Sequence, residues 1–243
     1  MASQFYQTGE ARAPKVHELF SLIAHRYDLI NDLQSLGLHR RWKRRLARLA
    51  ACPPGGRALD LCCGTGDVAQ ALARAGAHVV GLDFSEPMLS VAQRRKASPA
   101  GVLRFVRGDA LRLPFADNSF DAVTISYGLR NLAHLERGLR EMWRVTKPGG
   151  CVVVLDFGKP RNRLWRWCYF AYLRVCVPAW GWLLCGDAAA YGYILESLRH
   201  YPSQEGVAAG LRETGGRNVS VVHLLWGAMG LVRGEKPSSA SQP

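Results

Sequence analysis

The stretch Leu59-Asp60-Leu61-Cys62-Cys63-Gly64-Thr65-Gly66-Asp67 restricts this chain more than any other. Ala58, Leu59 and Leu61 to Cys63 are small or apolar, as in a strand covered on both faces. Gly64 and Gly66 then allow a sharp turn and a close backbone approach to a ligand. Val68, Ala69, Ala71 and Leu72 follow at helical spacing. Strand, glycine turn and helix in that order make the first βα unit of an α/β sheet, where such sheets bind their ligands.

Gly64-Thr65-Gly66-Asp67-Val68-Ala69 fits the loose G-x-G-x-x-G/A pattern of dinucleotide sites. The charges point elsewhere. Asp60 precedes the glycines and Asp67 follows them, so a pyrophosphate would meet two carboxylates. A ligand with an ammonium and a sulfonium but no phosphate suits that surrounding, and S-adenosylmethionine is such a ligand. Further on, Gly81-Leu82-Asp83 ends the second apolar strand, where Asp83 can accept hydrogen bonds from two ribose hydroxyls. NAD binding and an ordinary solvated strand end are the competing readings.

The chain has 243 residues, 48% of them hydrophobic, enough for one substantial α/β domain. Residues 1–15 read as a mobile tail and residues 238–243 as a disordered one. Val16, Leu19, Phe20, Ile23, Tyr27 and Ile30 form a helical apolar stripe that Asn31-Asp32 and Gly37 interrupt. A second helix, His39 to Ala51, sets Trp42, Leu46 and Leu49 against Arg40, Arg41, Lys43, Arg44, Arg45 and Arg48. Pro53-Pro54-Gly55-Gly56 closes this region.

The sheet then alternates with helices. Strands are expected at Arg57–Cys63, Ala77–Asp83, Val102–Arg107, Phe120–Ser126 and Cys151–Asp156. Helices are expected at Asp67–Ala75, Glu86–Lys96 with Ser85 as N-cap, and His134–Thr146. The fold class is α/β, a doubly wound, mostly parallel sheet. Residues 159–203 break the alternation with Trp165, Trp167, Tyr169, Phe170, Tyr172, Trp180 and Trp182, and read as an inserted helical cap. Asn218–Leu225 and Ala228–Gly234 read as a hairpin.

These residues resemble the ubiquinone/menaquinone biosynthesis C-methyltransferases, a branch of the class I S-adenosylmethionine-dependent methyltransferases. The specific pieces are Tyr27-Asp28-Leu29-Ile30-Asn31-Asp32, Gly37-Leu38-His39-Arg40-Arg41-Trp42-Lys43 and Tyr127-Gly128-Leu129-Arg130-Asn131-Leu132. Tyr191-Gly192-Tyr193-Ile194-Leu195-Glu196-Ser197 joins them near the end. The resemblance implies seven strands in one domain, residues 16–237. Residues 16–56 would be N-terminal helices, 57–157 the cofactor core, 159–203 the cap and 218–234 the hairpin. One departure is Asp156, where the family usually has Glu.

The resemblance also implies a cofactor shell. Asp60, Gly64, Thr65 and Gly66 lie at the glycine turn, with Thr65 near the methionine part. Asp83 holds the ribose, Asp109 and Ala110 flank the adenine, and Ser126 faces the cofactor beside the acceptor. Sulfonium methyl transfer requires no metal; donor and acceptor must be aligned and water excluded. A quinol ring carbon becomes a better nucleophile when its hydroxyl loses a proton. Arg130 is the leading catalytic candidate, stabilising a phenolate or orienting a water that takes the proton. Asn131 would hold the second quinol oxygen. Tyr27, Asp28 and Tyr193 are second-rank candidates from lid segments. A surface salt bridge is the plainer reading of Arg130, and packing that of Tyr193.

The net charge of +13 favours an anionic partner, an RNA or a membrane surface. An aromatic cap and the absence of an appended RNA-binding module favour reversible contact with anionic lipid over nucleic acid. Seven cysteines without a C-x-x-C pair fit reduced thiols in a cytoplasmic protein, peripheral at the membrane. The expected reaction is methylation of demethylmenaquinol, with a ubiquinone-pathway benzoquinol second and an RNA methyltransferase the different-class alternative. A homo-oligomer is left open.

Overall fold

The computed structural model describes residues 9–24, 26–95, 102–185 and 189–238. Expectations placed on residues 1–8, Lys96 and residues 239–243 lie outside these. Three N-terminal helices, α1 (Arg12–Ile23), α2 (Tyr27–Ser35) and α3 (Leu38–Ala50), precede the first strand. Then come β1 (Arg57–Leu61), α4 (Asp67–Arg74), β2 (His78–Asp83), α5 (Glu86–Arg94), β3 (Leu103–Arg107) and β4 (Phe120–Ser126). After α6 (Leu135–Val145) and β5 (Thr146–Phe157), the cap follows as α7 (Arg163–Cys185) and α8 (Ala189–His200). The last elements are α9 (Ser203–Glu213), β6 (Arg217–Leu224) and β7 (Met229–Glu235).

The strands form one seven-stranded sheet in the order β3-β2-β1-β4-β5-β7-β6. β1 to β5 pair in parallel, and β7 runs antiparallel to both β5 and β6. This is the doubly wound sheet with a C-terminal hairpin that the sequence predicts. Side chains alternate between faces with period two. Ala58, Val79, Ala122 and Val153 share one core with residues of α3 and α4. Leu59, Leu61, Val123 and Ile125 share the other with residues of α6 and α9. Strand order reverses beside β1, so a crevice opens at the carboxyl ends of β1, β2 and β4.

Several expectations need correction. The tail expected through residue 15 is already helical from Arg12, whose Nη1 donates to the carbonyl oxygens of Arg130 (3.3 Å) and Leu132 (2.8 Å). The stripe from Val16 to Ile30 is two helices, and Asn31 and Asp32 lie inside the second. That helix ends at Leu36 (φ 50°) and Gly37 (φ 74°), where the Gly37 N–H donates to the Asp32 carbonyl at 2.8 Å. Ser85 occupies the N-cap position of α5, but its side chain makes no capping bond. Helix α9 was not anticipated; it fills the gap between the cap and the hairpin and buries Val207, Ala208 and Leu211.

Lys43 is the correction with the widest consequence. It belongs to the basic run, yet it is buried together with His39, Leu46 and Ala50. Those positions are spaced four, three and four apart, one inward stripe of α3. Arg40, Arg41, Arg44, Arg45 and Arg48 remain exposed, as expected.

Candidate active site

A cavity of about 990 Å³, its open mouth included, sits at the carboxyl ends of β1, β2 and β4. Gly64, Asp83, Asp109, Ala110 and Ser126, expected at a cofactor site, line it together with Asn131, expected to hold the acceptor. At Gly64 (φ 53°) an added Cβ would meet nothing within 4 Å, so the backbone there faces open space. Asp83 anchors the floor: Oδ2 accepts from the Gly64 N–H at 2.7 Å and Oδ1 from the Ser85 N–H at 2.9 Å. Burial raises the Asp83 pKa, and these backbone donors oppose the rise. Asp109 Oδ1 accepts from the Leu111 N–H at 2.8 Å, which fixes the turn after β3.

Among the described residues the lining carries two carboxylates, Asp83 and Asp109, and no lysine or arginine. A positively charged ligand without phosphates fits that field. The Ser85 hydroxyl and the Asn131 Oδ1 are buried without a partner among the described residues. Both residues line the cavity, so a ligand's polar groups would satisfy them. These residues fit S-adenosylmethionine.

The carboxylates that carried this argument in the sequence are not the ones that face the cavity. Asp60 is buried beneath α3 and α4, because its register partner is Thr124 and both share the face of Ala58. Thr124 Oγ1 donates to Asp60 Oδ1 at 2.7 Å, and burial pushes the Asp60 carboxyl up to about 7. Asp67 is neutralised by Lys43 Nζ at 2.9 Å and Arg95 Nη2 at 3.1 Å. Gly66 (φ 85°) does not line the cavity either; an added Cβ there would lie 2.8 Å from the Phe105 ring. Its glycine is needed for backbone sign and packing.

Thr65 is buried away from the cavity, and its hydroxyl donates to Asp28 Oδ1 at 2.9 Å. Arg95 also pairs with Asp28. Thr65, Asp67 and Arg95 therefore hold α2 and α3 onto the glycine turn. Above it, Val16, His17, Phe20 and Tyr27 complete the cavity wall, and His17 stacks edge-on against Phe84 with ring centroids 5.2 Å apart.

Arg130 and Tyr193 line neither this cavity nor the groove described below. Arg130 is buried, not on the surface. Its Nη1 lies 2.8 Å from Asp156 Oδ1 and donates to the Tyr127 carbonyl at 2.6 Å, while Nη2 donates to the Tyr193 hydroxyl at 3.1 Å. The guanidinium also stacks on Phe157, 4.6 Å from the ring centroid. Asn131 Nδ2 donates to the same Tyr127 carbonyl at 3.2 Å. Arg130 and Asn131 together thus set the position of Tyr127, a non-glycine residue at φ 60°.

Tyr127 is the residue that sequence reasoning missed. It lines the cavity and also a second, apolar groove of about 1,510 Å³. That groove runs between α2, α3, α7 and the turn before β7, with Trp42, Tyr169, Leu173, Trp180 and Met229 among its walls. Its rim includes Leu36, 89% exposed. The cap thus contributes Tyr169, Leu173 and Val177 inward while Leu164, Trp167, Val175 and Trp182 stay exposed. The Tyr127 hydroxyl is buried without a partner among the described residues, and Lys43 Nζ lies 5.9 Å from its ring centroid. A strand end followed by Tyr-Gly gives no sign of two cavities; the four-three-four spacing in α3 could have revealed His39 and Lys43.

A model of the ubiE/COQ5 methyltransferase family matches residues 7–236. The chain is 42% identical over 231 residues to the ubiquinone/menaquinone biosynthesis C-methyltransferase UbiE of Pseudomonas entomophila, covering 93% of this chain and 90% of that one. It is 43% identical to the protein of the same name from Ectopseudomonas mendocina, with the same coverage. Among solved structures, a SAM-dependent methyltransferase from Thermotoga maritima aligns with TM-score 0.65 at 21% identity, over 90% of this chain and 99% of its own. The [4+2]-cyclase SpnF aligns with TM-score 0.62 at 18% identity, over 96% and 98%. These two likenesses speak for the fold alone.

Proposed function

The chain belongs to the ubiE/COQ5 methyltransferase family, and from that premise we propose that it methylates a ring carbon of a prenylated quinol. S-adenosyl-L-methionine is the methyl donor, and it supplies a sulfonium-bound methyl group for in-line displacement. Demethylmenaquinol is the preferred acceptor and a ubiquinone-pathway benzoquinol the second. The observation that carries the reading is the shared wall: Tyr127 bounds both the acidic cofactor cavity and the apolar groove. An aromatic-lined groove suits a quinol head and a prenyl tail, and among the described residues it offers an RNA backbone no lysine or arginine.

In this reading Asp83 holds the ribose, Asp109 and Ala110 bracket the adenine, and Gly64 and Ser126 border the donor's reactive end. Asn131 presents its free Oδ1 to the cavity. Arg130 acts through Tyr127 as a positioning residue, and Tyr193 supports Arg130. Phe20 and Tyr27 exclude water. The exposed Trp167, Trp182 and Trp226 and the arginines of α3 support transient contact with anionic lipid, from which a prenylated quinol would enter. Among the described residues no helix is long and apolar enough to cross a membrane.

Quinone extraction from a deletion strain tests the proposal. Accumulation of a demethylated naphthoquinone, reversed by the intact gene, is expected. A normal quinone profile in the deletion strain would sink it.

A further inference from the structure

His39 lines the apolar groove and is 2% exposed. Its protonation state follows from its neighbours. Ser35 Oγ donates its single hydrogen to the Asn31 carbonyl at 2.6 Å. The 2.9 Å contact between Ser35 Oγ and His39 Nδ1 therefore runs from a protonated Nδ1 to the hydroxyl oxygen. Asp32 Oδ1, 3.7 Å from Nδ1, favours a proton there as well. The other ring nitrogen, Nε2, is left as a bare acceptor, and it is buried with no partner among the described residues. A buried acceptor without a donor is a rare and costly arrangement.

The groove lining holds donors, the Tyr127 hydroxyl and the Gln34 Nε2 amide, but both are themselves buried without a partner among the described residues and neither bonds Nε2. Lys43, one turn along α3, is committed to Asp67. Burial first, and Lys43 second, push the imidazole down to about 4. The ring therefore stays neutral near pH 7, and Nε2 keeps its lone pair.

Resting on the quinol reading above, we propose that His39 Nε2 accepts a hydrogen bond from a ring hydroxyl of the acceptor, so that the groove binds the hydroquinone and discriminates against the quinone. A hydroquinone hydroxyl donates to Nε2. A quinone presents only carbonyl oxygens, which set acceptor against acceptor and leave Nε2 unsatisfied. The same hydrogen bond pulls the hydroxyl proton away from the ring and raises electron density at the carbon to be methylated. His39 thus ties substrate selection to the one redox state whose ring carbon is nucleophilic.

The test is anaerobic titration of the full chain, loaded with S-adenosylhomocysteine, with a short-chain naphthohydroquinone and with its quinone, read by tryptophan fluorescence. Wild type should prefer the hydroquinone by at least ~10-fold, the weight of one buried hydrogen bond. His39→Phe should lose that preference by weakening hydroquinone binding while quinone binding changes little. His39→Asn, whose amide oxygen can accept, should restore part of it. If His39→Phe does not fold, Ser35→Ala frees the Nδ1 proton to move to Nε2, and the preference should shrink. Equal affinity for both redox forms in wild type, or an unchanged preference in both His39→Phe and Ser35→Ala, overturns the assignment. Methylation that persists with that outcome leaves the proposed reaction standing and removes only His39; a wild type that neither binds nor methylates any quinol removes both.

Discussion

Lys43 Nζ lies 2.9 Å from Asp67 Oδ2, a largely buried pair that joins α3, whose arginines face solvent, to α4. It joins the N-terminal helices to the first helix of the sheet, beside the glycine turn. Lys43 also sits 6.0 Å and 5.9 Å from the ring centroids of Tyr27 and Tyr127, the residues on either side of the cavity. One cation thus braces the lid, the turn and the wall between cavity and groove.

Removing that cation leaves Asp67 with Arg95 alone. Lys43→Met should cost about 3 kcal/mol in urea unfolding, within the range for breaking a buried pair. Lys43→Met with Asp67→Asn should recover most of the loss, because no uncompensated charge remains. Equal stability of the single and double variants would show that the pair contributes nothing.

Asp60 gives a pH signature. Its folded pKa of about 7 lies above the unfolded value of about 4, so the folded state binds the proton more tightly. Its contribution is therefore fully present below about pH 4 and is lost as pH rises through about 7. Asp60→Asn removes that dependence. The difference in unfolding free energy, variant minus wild type, should rise between pH 4 and pH 7 by up to about 4 kcal/mol. A flat difference curve refutes the assignment.

Arg130→Lys retains a charge beside Asp156 but loses the fork that reaches both the Tyr127 carbonyl and Tyr193. Methyl transfer should slow by at least ~10-fold, about 1.4 kcal/mol of barrier, while S-adenosylmethionine affinity in calorimetry stays within a few-fold. Parallel loss of rate and cofactor affinity would place the residue in cofactor binding instead.

Asp83→Asn keeps one acceptor oxygen and removes the charge. S-adenosylmethionine binding should weaken by ~10- to 100-fold, as expected for a hydrogen bond to a charged group. The variant is read by calorimetry, with thermal unfolding of the unliganded protein as the control for folding.

The exposed face of α7 predicts lipid contact. Trp167 and Trp182 are 70% and 66% exposed. Changing both to Gln should reduce co-flotation with anionic vesicles at low salt by at least ~10-fold, given about 1.5–3 kcal/mol for fully burying a large apolar side chain. Flotation equal to wild type would leave Trp226 and the arginines of α3 as the attachment.

The sequence by itself determined the sheet, the crossover and the ends of β1, β2 and β4, because these rest on local periodicity and on glycines that few other residues can replace. Gly64 and Asp83 follow from where their strands stop, while Asp109, Ala110 and Ser126 entered as cofactor residues, and Asn131 as an acceptor-binding one, through the family resemblance; all six line the cavity. Only the tertiary structure decided which charges meet the ligand. Asp60 and Asp67 sit in sequence beside the glycines, yet the alternation of side chains along β1 turns one toward α3 and α4, and the packing of α3 gives the other to Lys43 and Arg95. Arg130 reads as a loop residue, but its partner Asp156 lies on the neighbouring strand and draws it inward. Tyr127 and His39 acquire their meaning from residues far along the chain, through a groove whose far wall, α7, begins more than a hundred residues after α3. Burial and pairing across such distances are sums over the whole fold, and no local pattern encodes them.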